Sequence, residues 1–405
     1  MNQFECIFCN KKYPLNPFRQ FCPQCKEPLL VAYEKKKRII HSDTINPLEK
    51  FRDFLPLGTI NPDLQLGEGN SPLQKLNRLM LEFGLPETYA KNESINPTGS
   101  FKDRGTAVAL QIAASLGITR IGTVSTGNMG ISTAAYGAKA GMETFVFTKE
   151  DTSTEKLLSA GIHGINLIKV KGDYGKLSPK SFEIGKKHNI YFMNSTDPFR
   201  IEGYKVTGFE IYEQLNKENP QFIFVPVSSG GHLIGLIKCF KELKENKFIQ
   251  RIPTFVGIQA KGSSAVAQAF AAGKSKYKRI NKPSSVAQSI TNPEPPGGNI
   301  VLKLVHKLDG MVIAVSDEEI LAAQELLARF EGLFCLPASA TTLAGLLKLQ
   351  KKKKFSSTDR IVLVITGAGV KNINVLDPDA MKIKHTDLLE LDKSIASVQD
   401  EILRK

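Results

Sequence analysis

Residues 96–105 read Asn-Pro-Thr-Gly-Ser-Phe-Lys-Asp-Arg-Gly, and this stretch is the strongest indicator of the fold. Pro97 and Gly99 predict a turn, and a helix is expected from about Asp103. Lys102 therefore lies at a helix start, facing the strand ends where open α/β sheets bind ligands. The helix dipole and nearby amides should lower the pKa of an ammonium group there, which favours an amine nucleophile. A single lysine at a helix start is more often simply solvated, so the surrounding motifs must show whether Lys102 has a function.

Short apolar segments alternate with helical patterns around this stretch, up to about residue 360. Strands are predicted at 88–92, Ile121–Ser125, Thr144–Phe147, Leu167–Val170, Phe222–Val227, Phe255–Gln259, Met311–Val315 and Ile361–Ile365. Helices are predicted between them, for example at Ala107–Leu116, Ser132–Ala140 and Asp317–Phe330, with Ser316 as the N-cap of the last. Strands separated by helices of this length predict an α/β fold with parallel sheets covered by helices.

The length of 405 residues exceeds one ordinary core and suits two domains with small appendages. The predicted parts are an N-terminal module over 1–32, a large domain from 33–100 and 213–380, a smaller domain over 101–212 that carries Lys102, and a helical tail over 381–405.

The composition is that of a globular protein, with 41% hydrophobic and 23% charged residues. No apolar run approaches the roughly 20 residues that span a bilayer, and the N-terminus lacks a secretory pattern. We therefore expect a cytoplasmic protein with no membrane partner. The net charge of +14 permits a nucleic-acid-binding interpretation. The basic clusters at 35–38 and 351–354 lack interleaved aromatic residues, so we expect scattered surface lysines and no nucleic-acid partner.

Four of the six cysteines form two Cys-x2-Cys pairs twelve residues apart: Cys6, Cys9, Cys22 and Cys25. This spacing predicts a zinc ribbon in which four thiolates hold one structural zinc. A disulfide pair is less expected in a cytosolic chain, and a ribbon that has lost its metal is the other alternative. Cys239 and Cys335 stand alone in apolar surroundings and are expected to be buried small hydrophobic residues.

Two further segments combine a strand, a turn rich in small residues and a helix. They are Ser-Thr-Gly-Asn-Met-Gly at 125–130, and Val-Pro-Val-Ser-Ser-Gly-Gly-His-Leu-Ile-Gly at 225–235. Small residues let backbone N–H groups approach an anion at the N-terminus of the following helix. Both turns are therefore candidate anion sites, although the first can also be a plain turn that starts a helix.

Together these motifs, over residues 64–375, resemble those of fold-type-II pyridoxal-phosphate (PLP) enzymes, and most closely the threonine synthases. The resemblance implies a two-domain fold similar to the tryptophan synthase β subunit. It also implies PLP as cofactor and Lys102 as the catalytic lysine that forms a Schiff base with it. The zinc-ribbon nucleic-acid-binding alternative leaves Lys102 and the glycine-rich turns unexplained.

The resemblance assigns cofactor contacts to particular positions. Asn128 corresponds to the residue that binds the pyridine 3'-oxygen, and Thr366 to the hydroxyl that contacts the pyridine nitrogen. A hydroxyl cannot hold that nitrogen protonated as a carboxylate does, which suits elimination and replacement at the β or γ carbon. We expect no acid–base role for His232. The implied loop for the cofactor phosphate comprises Ser228, Ser229, Gly230, Gly231 and His232.

Substrate contacts are implied in the same way. The loop of Ser125, Thr126 and Gly127 corresponds to the family's cradle for the substrate carboxylate. Residues 194–203 read Asn-Ser-Thr-Asp-Pro-Phe-Arg-Ile-Glu-Gly. In this motif Ser195 and Arg200 correspond to the residues that hold the phosphate of O-phosphohomoserine, and a guanidinium suits a phosphate geometrically. A salt bridge from Arg200 to Glu202 or another surface carboxylate is the alternative.

Three positions depart from the family pattern: Met129, Leu336 and Ala368. The loop at 292–298, Asn-Pro-Glu-Pro-Pro-Gly-Gly, resembles an insertion near the substrate entrance. The expected reaction is therefore conversion of O-phosphohomoserine and water to threonine and phosphate, in threonine biosynthesis by a homodimer. The alternative is a related PLP lyase or replacement enzyme, such as a threonine dehydratase or a phosphoserine-using synthase.

Overall fold

The computed structural model describes residues 2–34, 38–125, 127–172 and 174–376, together with residues 386, 387, 390 and 395. The chain forms two compact units, residues 1–371 and 372–405, and the architecture below is that of the first. Of the second, residues 372–375 form part of a 3-10 helix. The helix predicted for 381–405 falls almost entirely outside the described residues.

The described residues contain thirteen strands and twelve α-helices. The strands are β1 (Gln3–Glu5), β2 (Lys12–Pro14), β3 (Leu30–Ala32), β4 (Leu73–Lys75), β5 (Glu87–Asn92), β6 (Arg120–Val124), β7 (Glu143–Lys149), β8 (Asn166–Val170), β9 (Tyr191–Phe192), β10 (Phe222–Pro226), β11 (Thr254–Ala260), β12 (Met311–Val315) and β13 (Arg360–Ile365). The helices are α1 (Pro47–Lys50), α2 (Asn77–Phe83), α3 (Lys102–Ser115), α4 (Asn128–Lys139), α5 (Thr154–Gly161), α6 (Tyr174–His188), α7 (Pro198–Gln214), α8 (Gly231–Glu245), α9 (Ala265–Ala271), α10 (Gly298–Lys307), α11 (Asp317–Glu331) and α12 (Pro337–Gln350). Within the described residues, no helix has the length and apolar character needed to cross a membrane.

Two sheets built largely of parallel strands confirm the predicted α/β fold. The larger has the order β12-β11-β10-β13-β5-β4, in which only β4 is antiparallel to its neighbour. The smaller is entirely parallel, with the order β8-β7-β6-β9. In β13 the run from Ile361 to Ile365 is buried throughout, as expected for a parallel strand with both faces covered.

The strands of the two sheets come from separate parts of the sequence. The larger sheet uses residues 73–92 and 222–365, and the smaller uses residues 120–192. Helix α7 packs against both α3 and α8 and is buried along almost its whole length. The division into a large and a smaller domain, with its boundaries, stays a prediction.

The N-terminal residues form a small three-stranded sheet, and the zinc ribbon predicted there stays a prediction. Strands β2, β1 and β3 make an antiparallel sheet in which Phe4 pairs with Tyr13 and Val31. Phe4 is fully buried, and its ring lies 5.2 Å from that of Phe199 in α7. Its apolar side therefore packs on the main body of the protein.

Most predicted elements are confirmed, with shifts at their ends. The strand Met311–Val315 has the predicted bounds, and Ser316 caps α11 in a capping box with Glu319. Helix α3 begins at Lys102, one residue before the helix start expected at about Asp103 and five before the helical pattern at Ala107–Leu116, and the two-residue strand β9 was not predicted.

Candidate active site

A cleft of about 1820 Å³ opens where strands of both sheets end. Its walls include Val124 at the end of β6, Pro226 at the end of β10 and Thr366 just after β13. Lys102 lies in the same cleft. The carboxyl ends of parallel strands are where this fold class binds ligands, so the cleft is the candidate active site.

Lys102 is the first residue of α3, and its Nζ reaches into the cleft. Nζ lies 4.4 Å from the ring centroid of Phe101 and 5.9 Å from that of Tyr204. Among the described residues, none hydrogen-bonds to Nζ. Burial, together with the positive charge of Arg200, lowers the pKa of Lys102 to about 7. The direction of the shift is the predicted one, and burial and the neighbouring Arg200 charge cause it.

Arg200 lies beside Lys102 but does not line the cleft. It is fully buried in the first turn of α7, which Asp197 caps by accepting hydrogen bonds from the backbone N–H groups of Phe199 and Arg200. Its Nη2 donates to the carbonyl oxygen of Lys102 at 3.0 Å, and its Nε to the hydroxyl of Tyr204 at 3.3 Å. Its Nη1 is buried without a partner among the described residues. One guanidinium donor next to Lys102 therefore has no partner among the described residues, and the positive charge of Arg200 acts on the nearby carboxyl of Asp197.

The alternative of a salt bridge from Arg200 to Glu202 is wrong. Glu202 is fully buried and pairs instead with Lys205 at 2.5 Å and Lys238 at 2.9 Å. Tyr33 also donates a hydrogen bond to the same carboxylate. This group joins α7 and α8 and leaves the Arg200 guanidinium for another partner.

A second buried ion network holds the start of α3 in place. Arg104 contacts Glu93 at 2.5 Å and Glu210 at 2.7 Å, and its Nη2 lies 3.0 Å from Ser71 Oγ. Lys91 contacts Glu210 at 2.6 Å. Burial opposes ionisation of Glu210, but the charges of Arg104 and Lys91 hold its pKa at about 2. The network ties the turn of Lys102 to β5 and α7.

The predicted phosphate loop follows β10 and leads into α8. Gly230 has φ +93°, a left-handed conformation that favours glycine. A Cβ on Gly231 would lie 2.5 Å from the carbonyl oxygen of Ser195, so only glycine allows the two loops to approach this closely. The first N–H groups of a helix have no intrahelical partner. Ser228, Ser229 and both glycines line the cleft, where these donors can hold a phosphate.

His232 lines the cleft beside this loop. Its ring stacks on Phe101 with centroids 4.0 Å apart and planes 7° apart. Burial lowers its pKa to about 3, so the ring is neutral. Both ring nitrogens are buried without a partner among the described residues, which leaves one donor and one acceptor for a ligand.

The loop between β6 and α4 forms another wall. Ser125 Oγ accepts a hydrogen bond from the Gly127 N–H at 3.2 Å, and both residues line the cleft. Thr126 lies outside the described residues. Asn128 begins α4 and faces the cleft, and no described residue hydrogen-bonds to its amide. Ser195 lines the cleft opposite, so the predicted substrate and cofactor loops meet in one place.

Ser339 is a site residue that the sequence analysis missed. Its Oγ accepts hydrogen bonds from the backbone N–H groups of Thr366 and Gly367, both at 3.0 Å. These occupy both lone pairs of a hydroxyl. Its proton then goes to Thr366 Oγ1 at 3.0 Å rather than to the more distant Gly367 carbonyl at 3.4 Å. The Thr366 hydroxyl proton is left to be donated into the cleft.

The positions that depart from the family pattern lie around this site. Met129 and Leu336 line the cleft, whereas Ala368 does not. In the loop at 292–298, Asn292 donates from Nδ2 to Ser229 Oγ at 3.2 Å, so this loop forms part of the rim as predicted.

The four ribbon cysteines form a separate cluster. The Sγ atoms of Cys6, Cys9, Cys22 and Cys25 all lie within 4.8 Å of one another, and Cys9 and Cys22 are 3.7 Å apart. Zinc–sulfur bonds of about 2.3 Å in a tetrahedron place sulfurs about 3.8 Å apart. The cluster therefore fits a tetrahedral zinc. Cys239 and Cys335 are buried as expected, and burial raises the pKa of the Cys335 thiol to about 12.

Comparison with known proteins identifies the family. The family described as "Pyridoxal-phosphate dependent enzyme" matches residues 64–367. A threonine synthase of Methanocaldococcus jannaschii is 36% identical over 383 residues and covers 93% of both chains. The chain belongs to the threonine synthases. Another member, from Methanosarcina acetivorans, is 32% identical over 410 aligned residues that cover both chains completely.

A solved structure confirms the fold of this threonine synthase family member. The processed form of threonine deaminase isoform 2 from Solanum lycopersicum superposes with a TM-score of 0.65 over 88% of this chain and 94% of that one, at 18% identity. The fold is therefore that of fold-type-II PLP enzymes, and the chain is a PLP-dependent lyase.

The residues in the cleft of this threonine synthase family member fit PLP. Lys102 offers an amine with a lowered pKa, and the loop at 228–231 offers N–H groups without side chains in the way at its two glycines. His232 carries ring nitrogens that need a partner, and Thr366 has a hydroxyl proton to donate. These groups lie on several walls of one cleft, so they can contact the pyridine ring and the phosphate of PLP at the same time.

Proposed function

We propose that this chain converts O-phosphohomoserine and water to L-threonine and phosphate. The observation that carries the proposal is the match to threonine synthases over nearly the whole length of both chains. The cleft supports it, since Lys102 lies there together with two loops suited to anions, at 125–128 and 228–231. An amino-acid phosphate needs one site for a carboxylate and one for a phosphate, beside those for the cofactor.

The cofactor would be held covalently by Lys102 and through its phosphate by residues 228–232, with Asn128 and Thr366 at the ring. When bound, PLP supplies an electron sink for negative charge that develops on the substrate carbons. The protein supplies position, charge and proton transfer.

Lys102 would be the catalytic acid and base. A pKa of about 7 leaves a large neutral fraction at neutral pH, which matches the requirement for general base catalysis. Its Nζ would take protons from the α and β carbons of the substrate and return one to the γ carbon. The bond from the γ carbon to the phosphate oxygen breaks, the hydroxyl of a water molecule adds at the β carbon, and the second proton held by Nζ returns to the α carbon. The remaining water proton leaves with the phosphate. The reaction involves no net oxidation or reduction of the substrate, so it needs neither an oxidant nor a reductant.

Ser195 and Arg200 would bind the substrate phosphate. Ser195 lines the cleft, and its carbonyl packs on Gly231 next to the cofactor loop. Arg200 does not line the cleft, but it lies next to Lys102 and has an unpartnered Nη1. Phosphate that reaches this donor would gain a charge-assisted hydrogen bond and would be stabilised as it leaves. Ser125, Thr126 and Gly127 would hold the carboxylate.

We also propose one structural zinc bound by the four ribbon cysteines. The sulfur positions support it, and four protein ligands leave no open position for water or substrate. The domain boundaries, a homodimer and a cytoplasmic location stay predictions.

The experiment is an assay of the purified protein with O-phosphohomoserine, threonine and O-phosphoserine. We expect only O-phosphohomoserine to be turned over efficiently. Threonine and phosphate should form from it in equal amounts. Turnover of unphosphorylated amino acids alone would overturn the proposal in favour of a dehydratase.

A further inference from the structure

The zinc ribbon, residues 2–34, lies directly at the active-site cleft. Phe21, Cys25, Lys26 and Glu27 line the cleft together with the catalytic residues. A purely structural appendage does not need to face the substrate. The ribbon contacts both the part of the protein that carries the smaller sheet and the part that carries the larger sheet.

One side of the ribbon contacts the part of the protein that carries the smaller sheet. The ring of Phe21 packs edge-on against Phe182 of α6, with centroids 5.3 Å apart. The Nε2 of Gln20, a buried side chain, donates to the carbonyl oxygen of Phe192 in β9 at 2.6 Å. These contacts fix the ribbon beside the loop at 194–196, which carries Ser195.

The other side contacts the part that carries the larger sheet. Glu27 Oε1 accepts a hydrogen bond from Asn299 Nδ2 in α10 at 2.7 Å. The Oδ1 of Asn299 accepts the N–H of Tyr277 at 3.2 Å, on the rim of the cleft. Just before α10, the N–H of Gly297 donates to the carbonyl oxygen of Ser229 at 2.9 Å. Glu27 is therefore connected to the cleft rim through Asn299. Through Asn299 and the start of α10 it is connected to the Ser229 loop, the proposed site of the cofactor phosphate.

Glu27 is positioned by the same turn that supplies two of the metal ligands. The N–H of Cys22 donates to the carbonyl of Glu27 at 2.9 Å, and the N–H of Lys26 to the carbonyl of Cys22 at 2.9 Å. Lys26 has φ +60°, an unfavourable conformation for a residue with a side chain. The cysteines are free thiols, so a metal would be the bond that fixes this turn.

We propose that the metal-bound ribbon is a wall of the active-site cleft, and that Glu27 is a positioning residue that fixes Asn299 and, through it, the cleft rim and the Ser229 loop. The inference rests on the proposed function and the proposed zinc. It predicts that metal occupancy and cofactor affinity are linked. The linkage is reciprocal, so bound PLP should also slow the loss of metal.

The first test uses Glu27→Ala in the full-length holoenzyme, which leaves all four cysteines in place. We expect KM for O-phosphohomoserine and the Kd for PLP each to rise by about tenfold, the upper range for one hydrogen bond, while kcat changes less than about twofold. Glu27→Gln keeps an acceptor oxygen for Asn299 and should restore most of the affinity. Glu5→Ala, a change in β1 that is not part of the cleft wall, is the matched control and should behave as wild type.

The second test removes the metal with a chelator and follows PLP binding by absorbance, with zinc content measured in parallel. Metal-free protein should bind PLP about tenfold more weakly, and added zinc should restore the affinity. Unchanged PLP affinity in both the metal-free protein and Glu27→Ala would overturn the proposal. If wild type fails to turn over O-phosphohomoserine, the proposed function fails, but the PLP measurement still decides the role of the ribbon.

Discussion

Substitution of Arg200 separates its two possible effects on the reaction. Its charge lowers the pKa of Lys102, and its unpartnered Nη1 is the proposed donor to the substrate phosphate. Arg200→Gln removes both, whereas Arg200→Lys keeps the charge but loses the planar fork that suits a phosphate. Comparison of the two variants therefore distinguishes an effect of charge from an effect of phosphate geometry.

The expected magnitude follows from the burial of the side chain. Loss of a buried, charge-assisted contact costs about 2–5 kcal/mol, or about 1.5 to 3.5 powers of ten in rate. We expect Arg200→Gln to lower kcat/KM for O-phosphohomoserine by at least about tenfold. The loss should be much smaller for threonine in a deamination assay, because threonine has no phosphate.

The pH dependence supplies the second readout. Since the positive charge of Arg200 lowers the pKa of Lys102, and the amine would be free only in the enzyme–substrate complex, Arg200→Gln should move the ascending limb of the pH profile of kcat to higher pH. Arg200→Lys should leave the limb near pH 7 and still lose phosphate affinity. Arg120→Gln, which changes an exposed arginine paired with Glu143, is the control and should change neither readout. Equal losses on both substrates with Arg200→Gln would refute the phosphate role.

Three further predictions concern Lys102, the proposed zinc and the buried network of Arg104. Because the pKa of Lys102 is about 7, its amine is neutral above that pH. The rate at which cofactor-free protein binds PLP, followed by absorbance, should therefore rise through about pH 7 and level off near pH 8. A rate that does not change with pH would contradict this. Cys22→Ser should lower the zinc content from about one per chain to none by elemental analysis while saturating PLP still binds, and retention of zinc would rule out the four-cysteine site. Arg104→Met should lower the free energy of unfolding in urea by about 3–5 kcal/mol, because Glu93 and Glu210 lose their buried partner; a loss below about 1 kcal/mol would show that the network relaxes.

The sequence was sufficient to predict the cleft because the relevant residues follow strand ends. Ser195, Thr366 and the loop at 228–232 each come just after a strand of a parallel sheet, and such ends meet at one edge. The turn at Pro97 and Gly99 predicted a helix start within one residue of Lys102, the first residue of α3. Its first residues are polar, so they gave no helical apolar pattern, and their burial depends on the ion network.

The burial of Arg200 was not predictable from local sequence. Charged residues at 200, 202 and 205 look like a solvated helix face, yet α7 is buried and their charges are met by residues far along the chain. Glu202, for example, is paired with Lys238 as well as Lys205. The contact of Ser339 with Thr366, 27 residues apart, escaped prediction for the same reason.

In the proposed active site, the Thr366 corner of the cleft would account for a Lys102 amine with a pKa near neutral. The lone pairs of Ser339 are occupied by backbone N–H groups, so Thr366 is the donor toward the cleft. A hydroxyl can donate to a ring nitrogen but cannot leave it protonated, so the negative charge on the substrate carbons is stabilised less than beside a carboxylate. Proton removal then depends more on the base. A lysine with a pKa of about 7 combines a neutral amine with enough basicity to take a carbon-bound proton, and burial beside Arg200 gives Lys102 that pKa.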